Sequence, residues 1–148
     1  MATFNKFNYF VEALLTGIHN LDLGGTSTGA AVATVKVYLS TAVPNATNSV
    51  KADVTEIAPG QGNYSTGGAD IQNSVARTGG TAIVTSVDVV WTGTGTGFGP
   101  FRYVNLYNDT PTTPADPLIG WYDYGSNVSV GDQETFTVDF GTAVFNIA

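Results

Sequence analysis

Cysteine is missing from this sequence, which excludes disulfides, thiolate metal ligands and thiol nucleophiles together and leaves the redox compartment open. Histidine occurs once, as His19, so neither a histidine triad nor a histidine-rich metal site can be built within one chain. Charge is scarce: 11% of the residues are charged, against about 25% in an ordinary globular domain. Basic residues are scarcer still, 5 against 12 acidic ones, for a net charge of −7. Lys6, Lys36, Lys51, Arg77 and Arg102 are scattered along the chain, so a phosphate backbone would be repelled and no nucleic-acid partner is expected. No apolar run approaches the ~18 residues of a membrane span. The opening MATFNKFNYF has no basic stretch followed by an uninterrupted apolar one. The expectation is a soluble product with no membrane partner and no export signal.

What the chain has in quantity is Thr, Asn, Ser and Gly, hence an uncharged polar surface. That composition suits threonine-lined strands, and it equally suits dense packing against other subunits. A length of 148 residues is one domain's worth, and a chain of this size buries about 68–70% of the surface that its unfolded form exposes.

In FNYFVEALLTGI the apolar residues Phe7, Phe10, Val11, Leu14, Leu15 and Ile18 fall on one helical face. Asn5 or Asn8 is placed to cap the N-terminus, and Gly24 and Gly25 end any continuation. The spacing predicts a helix over 8–20 that must cover a sheet, since so short a helix is marginal alone. After it the period becomes two. ATVKVYL sets Val35, Val37 and Leu39 against Thr34, Lys36 and Tyr38, and ETFTVDF sets Phe136, Val138 and Phe140 against Thr135, Thr137 and Asp139. Further strands are expected at Val50–Val54, Ile71–Arg77, Ile83–Trp91, Phe101–Tyr107, Leu118–Tyr124 and Ala143–Ile147, separated by turn clusters such as TAVPNATN and TPTTPADP. No second periodic helix is present to carry a parallel crossover. The prediction is a single, mainly β domain over 1–148, an antiparallel β-sandwich or jelly roll, with an N-terminal arm (1–8), one short amphipathic helix (8–20) and strands from 30 to 148.

WTGTGTGFGPFRY places Gly93, Gly95, Gly97 and Gly99 at alternate positions. A phosphate loop leads from a strand into a helix and carries a lysine in its Walker form; here a strand follows, no lysine is present, and Pro100 removes an amide donor. The run is therefore read as a connection between strands in which glycine permits positive φ and close approach of another backbone, and no nucleotide or other cofactor is expected.

Asp123, beside Trp121, Tyr122 and Tyr124, invites a glycosidase reading, because sugar hydrolysis uses carboxylates flanked by aromatics. Asp123 is out of phase with Tyr122 and Tyr124 on a strand, which places it as a solvent-facing carboxylate between core aromatics. YNDTPTTPAD lacks the alternating carboxylates of a calcium loop, so no metal site is expected. Triplets of the N-x-S/T type begin at Asn45, Asn63, Asn108 and Asn127, as chance supplies in so Asn- and Thr-rich a chain. No catalytic constellation emerges, and the expectation is a protein that is not an enzyme.

Three stretches, FNKFNYFVEALLTGIHNLD, GPFRYVNLYND and PLIGWYDYGSNVSVGDQETFTVDF, resemble small virion proteins of tailed bacteriophages, of the kind that decorate or cement the head shell. The resemblance implies a β-sandwich structural protein on the outer face of the capsid, with the major capsid protein and further copies of itself (a homodimer or homotrimer) as partners. The closing segment also looks like those of tail and baseplate proteins, which implies as the alternative a receptor- or glycan-binding module with Trp91, Trp121, Tyr122 and Tyr124 stacking on sugars. Net −7 independently favours a position away from packaged DNA. Candidate contact residues are Phe4 and Lys6 of the arm, Phe7, Gly95 and Gly97 of the glycine run, and Trp121.

Overall fold

The computed structural model describes residues 2–21, 32–60 and 62–148. Among the described residues ten strands and one α-helix are formed: β1 (Asn5–Lys6), α1 (Asn8–Leu15), β2 (Val35–Ser40), β3 (Ala69–Asp70), β4 (Ser74–Thr78), β5 (Thr81–Thr85), β6 (Val89–Thr92), β7 (Phe98–Asn108), β8 (Leu118–Val130), β9 (Thr135–Val138) and β10 (Phe145–Ile147). All strand pairings are antiparallel. The fold is mainly β and sandwich-like. One layer is a five-stranded sheet in the order β1-β8-β7-β2-β3; facing it are the β10-β5-β4 sheet and the β6-β9 pair.

Alternation along the strands decides which side chains enter the core. Val35, Val37 and Leu39 of β2, with Val104 and Leu106 of β7, meet Val84, Val89, Trp91, Phe136 and Val138 from the opposing layer. Out-of-phase Tyr38 and Tyr107 point to the other face of the five-stranded sheet. There the segment 41–57 and Phe7 cover them, so that Phe7, Tyr38, Val54, Tyr107 and Leu118 form a second apolar cluster. The large sheet is thus buried on both faces.

Helix α1 is shorter than expected and buries a different face. Phe10 and Ala13 point into the protein, whereas Val11 is 41% and Leu15 85% exposed. Its end is set by a Schellman closure, in which the Gly17 amide donates to the Leu14 carbonyl and the Ile18 amide to that of Ala13, with Gly17 at φ +76°. Gly24 and Gly25, expected to stop the helix, lie outside the described residues, as do positions 30 and 31 of the expected strand region. Neither Asn5 nor Asn8 caps the helix; Phe7 holds the N-cap position without a side-chain hydrogen bond. Among the described residues no helix is long and apolar enough to cross a membrane.

The strand expectations shift in several places. Ile71–Arg77 becomes a strand only from Ser74, because Gln72 takes φ +50° and the Asn73 side chain bonds the Val35 amide and the Leu21 carbonyl. Val50–Val54 is not a strand: Lys51–Asp53 turn as a 3-10 helix, held by the Asp53 carboxylate accepting from the Ser49 and Val50 amides. Ile83–Trp91 divides into β5 and β6, because Asp88 turns away to accept from the Phe140 amide. Strand β8 runs past Tyr124 to Val130, with a register shift against β7 between Tyr103 and Phe101.

Candidate functional site

The glycine run forms a tight junction at one end of the sandwich. Gly95, Gly97 and Gly99 hold φ of +57°, +70° and +115°, conformations that favour glycine. A Cβ on Gly93 would overlap the Gly131 carbonyl oxygen, and one on Gly97 that of Val130. The amides are occupied by the chain itself: Gly93 donates to the Glu134 carbonyl and Gly97 to that of Thr94. Gly95 donates to the Asp132 carboxylate at 2.8 Å. The donors that a phosphate cradle would aim outward thus hold the β8–β9 turn against the β6–β7 turn, with a carboxylate where an anion would sit.

The N-terminal arm is also engaged with its own subunit. Strand β1 pairs Asn5 with Trp121 and Lys6 with Gly120. Phe4 lies over Gly120, where a Cβ would collide with its ring, and stacks on Phe145 at 4.9 Å and edge-on to Tyr122 at 5.6 Å. Phe7 is fully buried, 4.6 Å from the ring of Trp121. Of the arm residues proposed from sequence as contacts, Phe4 and Phe7 therefore serve the interior, and Lys6 is exposed. Trp121 is half-buried over Phe7. Gly95 is exposed and Gly97 buried.

The four aromatics suggested as a sugar platform do not come together. Trp91 is 2% and Tyr122 7% exposed, and the Tyr122 hydroxyl donates to the Val144 carbonyl at 2.7 Å. Tyr124, expected in the core, is 56% exposed. It overhangs a cleft of about 200 Å³ between β8 and β9, whose apolar walls are Val104, Tyr122, Phe136, Val138 and Phe140. Asp123, the carboxylate weighed as catalytic, makes a two-pronged pair with Arg102 at 2.7 and 2.8 Å and accepts from the Gly125 amide. The Arg102 hydrogen bonds, helped by that amide, hold its carboxyl below the usual range. It stands as a structural anion.

Two polar groups sit deeper. Glu56 accepts from Lys51 Nζ at 2.6 Å, and its other oxygen accepts from the Tyr64 hydroxyl and the Gly67 amide, each at 2.8 Å. Tyr64 accepts in turn from the Leu39 amide, and Lys51 lies 4.9 Å from the Tyr38 ring and 5.6 Å from that of Tyr107. This network ties Lys51 and Glu56, on the outer face of the large sheet, to Tyr64, Gly67 and the β2 backbone. No periodic signal announces it, because the partners are joined only by tertiary folding. Burial pushes the Tyr38, Tyr64 and Tyr107 hydroxyls well above the ordinary tyrosine range, so they act as hydrogen-bond donors and not as bases.

His19, the single histidine, is 5% exposed. Its ring lies 5.3 Å from Phe10, and Nδ1 accepts from Asn108 Nδ2 at 3.2 Å, which leaves the proton on Nε2. Nε2 has no hydrogen-bond partner, and burial lowers the imidazole to about 4. An unfolded histidine titrates at about 6.5. The depressed folded value means that the native state excludes the proton, so His19's contribution is fully present above about pH 6.5 and is lost as the pH falls towards 4. The expected size is about 3 kcal/mol. Denaturant unfolding at pH 7 and at pH 4.5, on the native chain and on His19→Gln, isolates this from carboxylate titration: the native chain should lose most of that difference more than the variant does. Equal losses would show that the ring is hydrated.

No protein-family model, curated protein or solved structure matches this chain. Among the described residues no group of three or more His, Cys, Asp or Glu side chains is placed to hold a metal ion.

Proposed function

We propose that this chain is a non-enzymatic structural protein of a phage virion, seated on the outer face of the capsid, where it ties neighbouring shell subunits together. The observation that carries the reading is the use made of the few basic side chains. Lys36 pairs with Asp109, Lys51 with Glu56 and Arg102 with Asp123, each within 2.7 Å. Unpaired carboxylates therefore dominate the charged surface of a chain of net −7, which suits a face turned away from DNA. The residues weighed for chemistry, His19, Asp123 and the glycine amides, are committed to internal contacts, which fits adhesion. Each bridge between shell subunits adds contact area that must break before the shell expands or bursts.

A ligand that binds only the intact shell stabilises it by mass action, by about 2.7 kcal/mol per independent site at 100 times its dissociation constant. Heads lacking the protein should release DNA at a lower temperature than complete heads, and purified protein added back should restore the higher one. Identical release temperatures would overturn the cement mechanism.

A second reading, a tail or baseplate module that binds glycans, is favoured by one feature, the apolar cleft beneath exposed Tyr124. It retains a single stacking aromatic of the four, a weaker basis than a platform.

A further inference from the structure

We infer that the outer edge of β4 is a self-association surface, on which a second copy of this chain pairs its own β4 antiparallel about a two-fold axis at Ala76. The inference goes beyond the virion reading and does not depend on it.

The β4–β5 hairpin closes through Gly79 and Gly80, between Thr78 and Thr81. A two-residue turn makes the flanking pair hydrogen-bonded, and bonding then alternates along the ladder. Thr78, Ala76 and Ser74 thus bond inward to β5, while the N–H and C=O groups of Val75 and Arg77 point outward. Val84, the partner of Val75, confirms the alternation: its carbonyl faces away from β4 and accepts from the Val144 amide at 2.8 Å. Among the described residues β4 is the end of its sheet, its side chains other than Val75 are exposed, and a Cβ added at Gly79 or Gly80 would meet nothing within 4 Å. Three other edges are short or covered. Strands β1 and β3 are two residues long, and the edge of β6 is covered by Asn63, whose amide donates to the Thr92 carbonyl while its side-chain oxygen accepts from the Thr92 amide. The β4 edge carries neither proline nor bulge.

The occupant follows from the sequence SVART. Pairing about Ala76 sets Val75 opposite Arg77 of the other copy, so the outward groups of both meet in two doubly bonded pairs. The side chain at the axis is a methyl, and no like charges stand opposite each other. Mutual repulsion is locally relieved: residues 71–87 contain Arg77 and no acidic residue, in a chain of net −7. Five residues of edge pairing bury far less than a standard interface, so the dimer should be weak and concentration-dependent.

The absence of native cysteine makes the test direct. In an antiparallel pair, unbonded residues face each other at a Cα separation of about 4.5 Å, within the range a disulfide spans. Ala76→Cys, oxidised with glutathione disulfide, should cross-link at least about tenfold faster than Val43→Cys, an exposed site (74%) away from this edge. A mixture of Ser74→Cys and Thr78→Cys should cross-link where either alone does not. Proline at Val75 or, in a second variant, at Arg77 removes an outward amide without touching the β5 ladder, and should return Ala76→Cys to the control rate in whichever variant keeps the native circular dichroism. Sedimentation of the native chain should show a monomer–dimer equilibrium. Cross-linking of Ala76→Cys at the Val43→Cys rate, or a monomer up to about 1 mM, the weak end of protein association, would overturn the inference.

Discussion

Replacing Gly97 with valine should leave no native fold, a loss above about 4 kcal/mol, whereas Gly80→Ala should be nearly silent. At Gly97 two requirements coincide. The backbone sits at φ +70°, which costs a residue with a Cβ about 1–2 kcal/mol, and the Cβ itself would occupy the place of the Val130 carbonyl oxygen. The obstacle is backbone at the end of β8, where Val130 pairs with Phe98 of β7, and it cannot rotate away as a side chain would. Relief would require the β8–β9 turn to move off the β6–β7 turn, breaking the Gly93–Glu134, Gln133–Gly93 and Gly95–Asp132 hydrogen bonds together. Gly80 has no positive φ, and a Cβ added there would meet nothing within 4 Å. Circular dichroism and thermal melting of the purified variants check the contrast. A folded Gly97→Val protein would mean that the two turns are not in contact.

The second large effect belongs to the Lys51–Glu56 pair, whose side chains are 18% and 9% exposed. Removing one member of a buried pair strands the other charge, at a cost of about 3–5 kcal/mol. Glu56→Gln is the cleaner probe. An amide oxygen still accepts from Tyr64 and Gly67, so the change isolates the charge facing Lys51 and the Tyr38 and Tyr107 rings. Adding Lys51→Met removes the stranded cation and keeps the aliphatic stem between the two rings. The double variant should therefore be more stable than Glu56→Gln alone, a non-additivity of about 2 kcal/mol in denaturant midpoints at unchanged slope. Strict additivity, with each single change below about 1 kcal/mol, would indicate a solvent-screened surface pair.

Those two sites differ in how far the sequence discloses them. The alternate glycines, with a strand before and a strand after, are enough to read the run as a geometric junction, because the absence of a following helix removes the anion-binding alternative. Alternation likewise placed Val35, Val37, Leu39, Phe136 and Val138 in the core, and the opening stripe located α1. Its buried face was misread at Val11 and Leu15. The helix ends at Leu15, closed off through Gly17, which costs the stripe its last turn, and small Ala13 is buried at 0% exposed. Strand β8 was cut short because SNVSV offers few large apolar side chains, and its pairing with β7 is a matter of backbone. The Lys51–Glu56–Tyr64 network and the burial of His19 against Asn108 had no signal at all. Partners 89 residues apart, as His19 and Asn108 are, meet only once the sheet exists.

Where the protein sits on a particle tests the central claim most directly. Electron cryo-microscopy of virions carrying a tagged copy should find density for this domain repeated hundreds of times over the outer surface of the head, at positions between neighbouring capsid subunits, and none on the inner face. A handful of copies confined to the tail or baseplate, or density lining the DNA side of the shell, would contradict it.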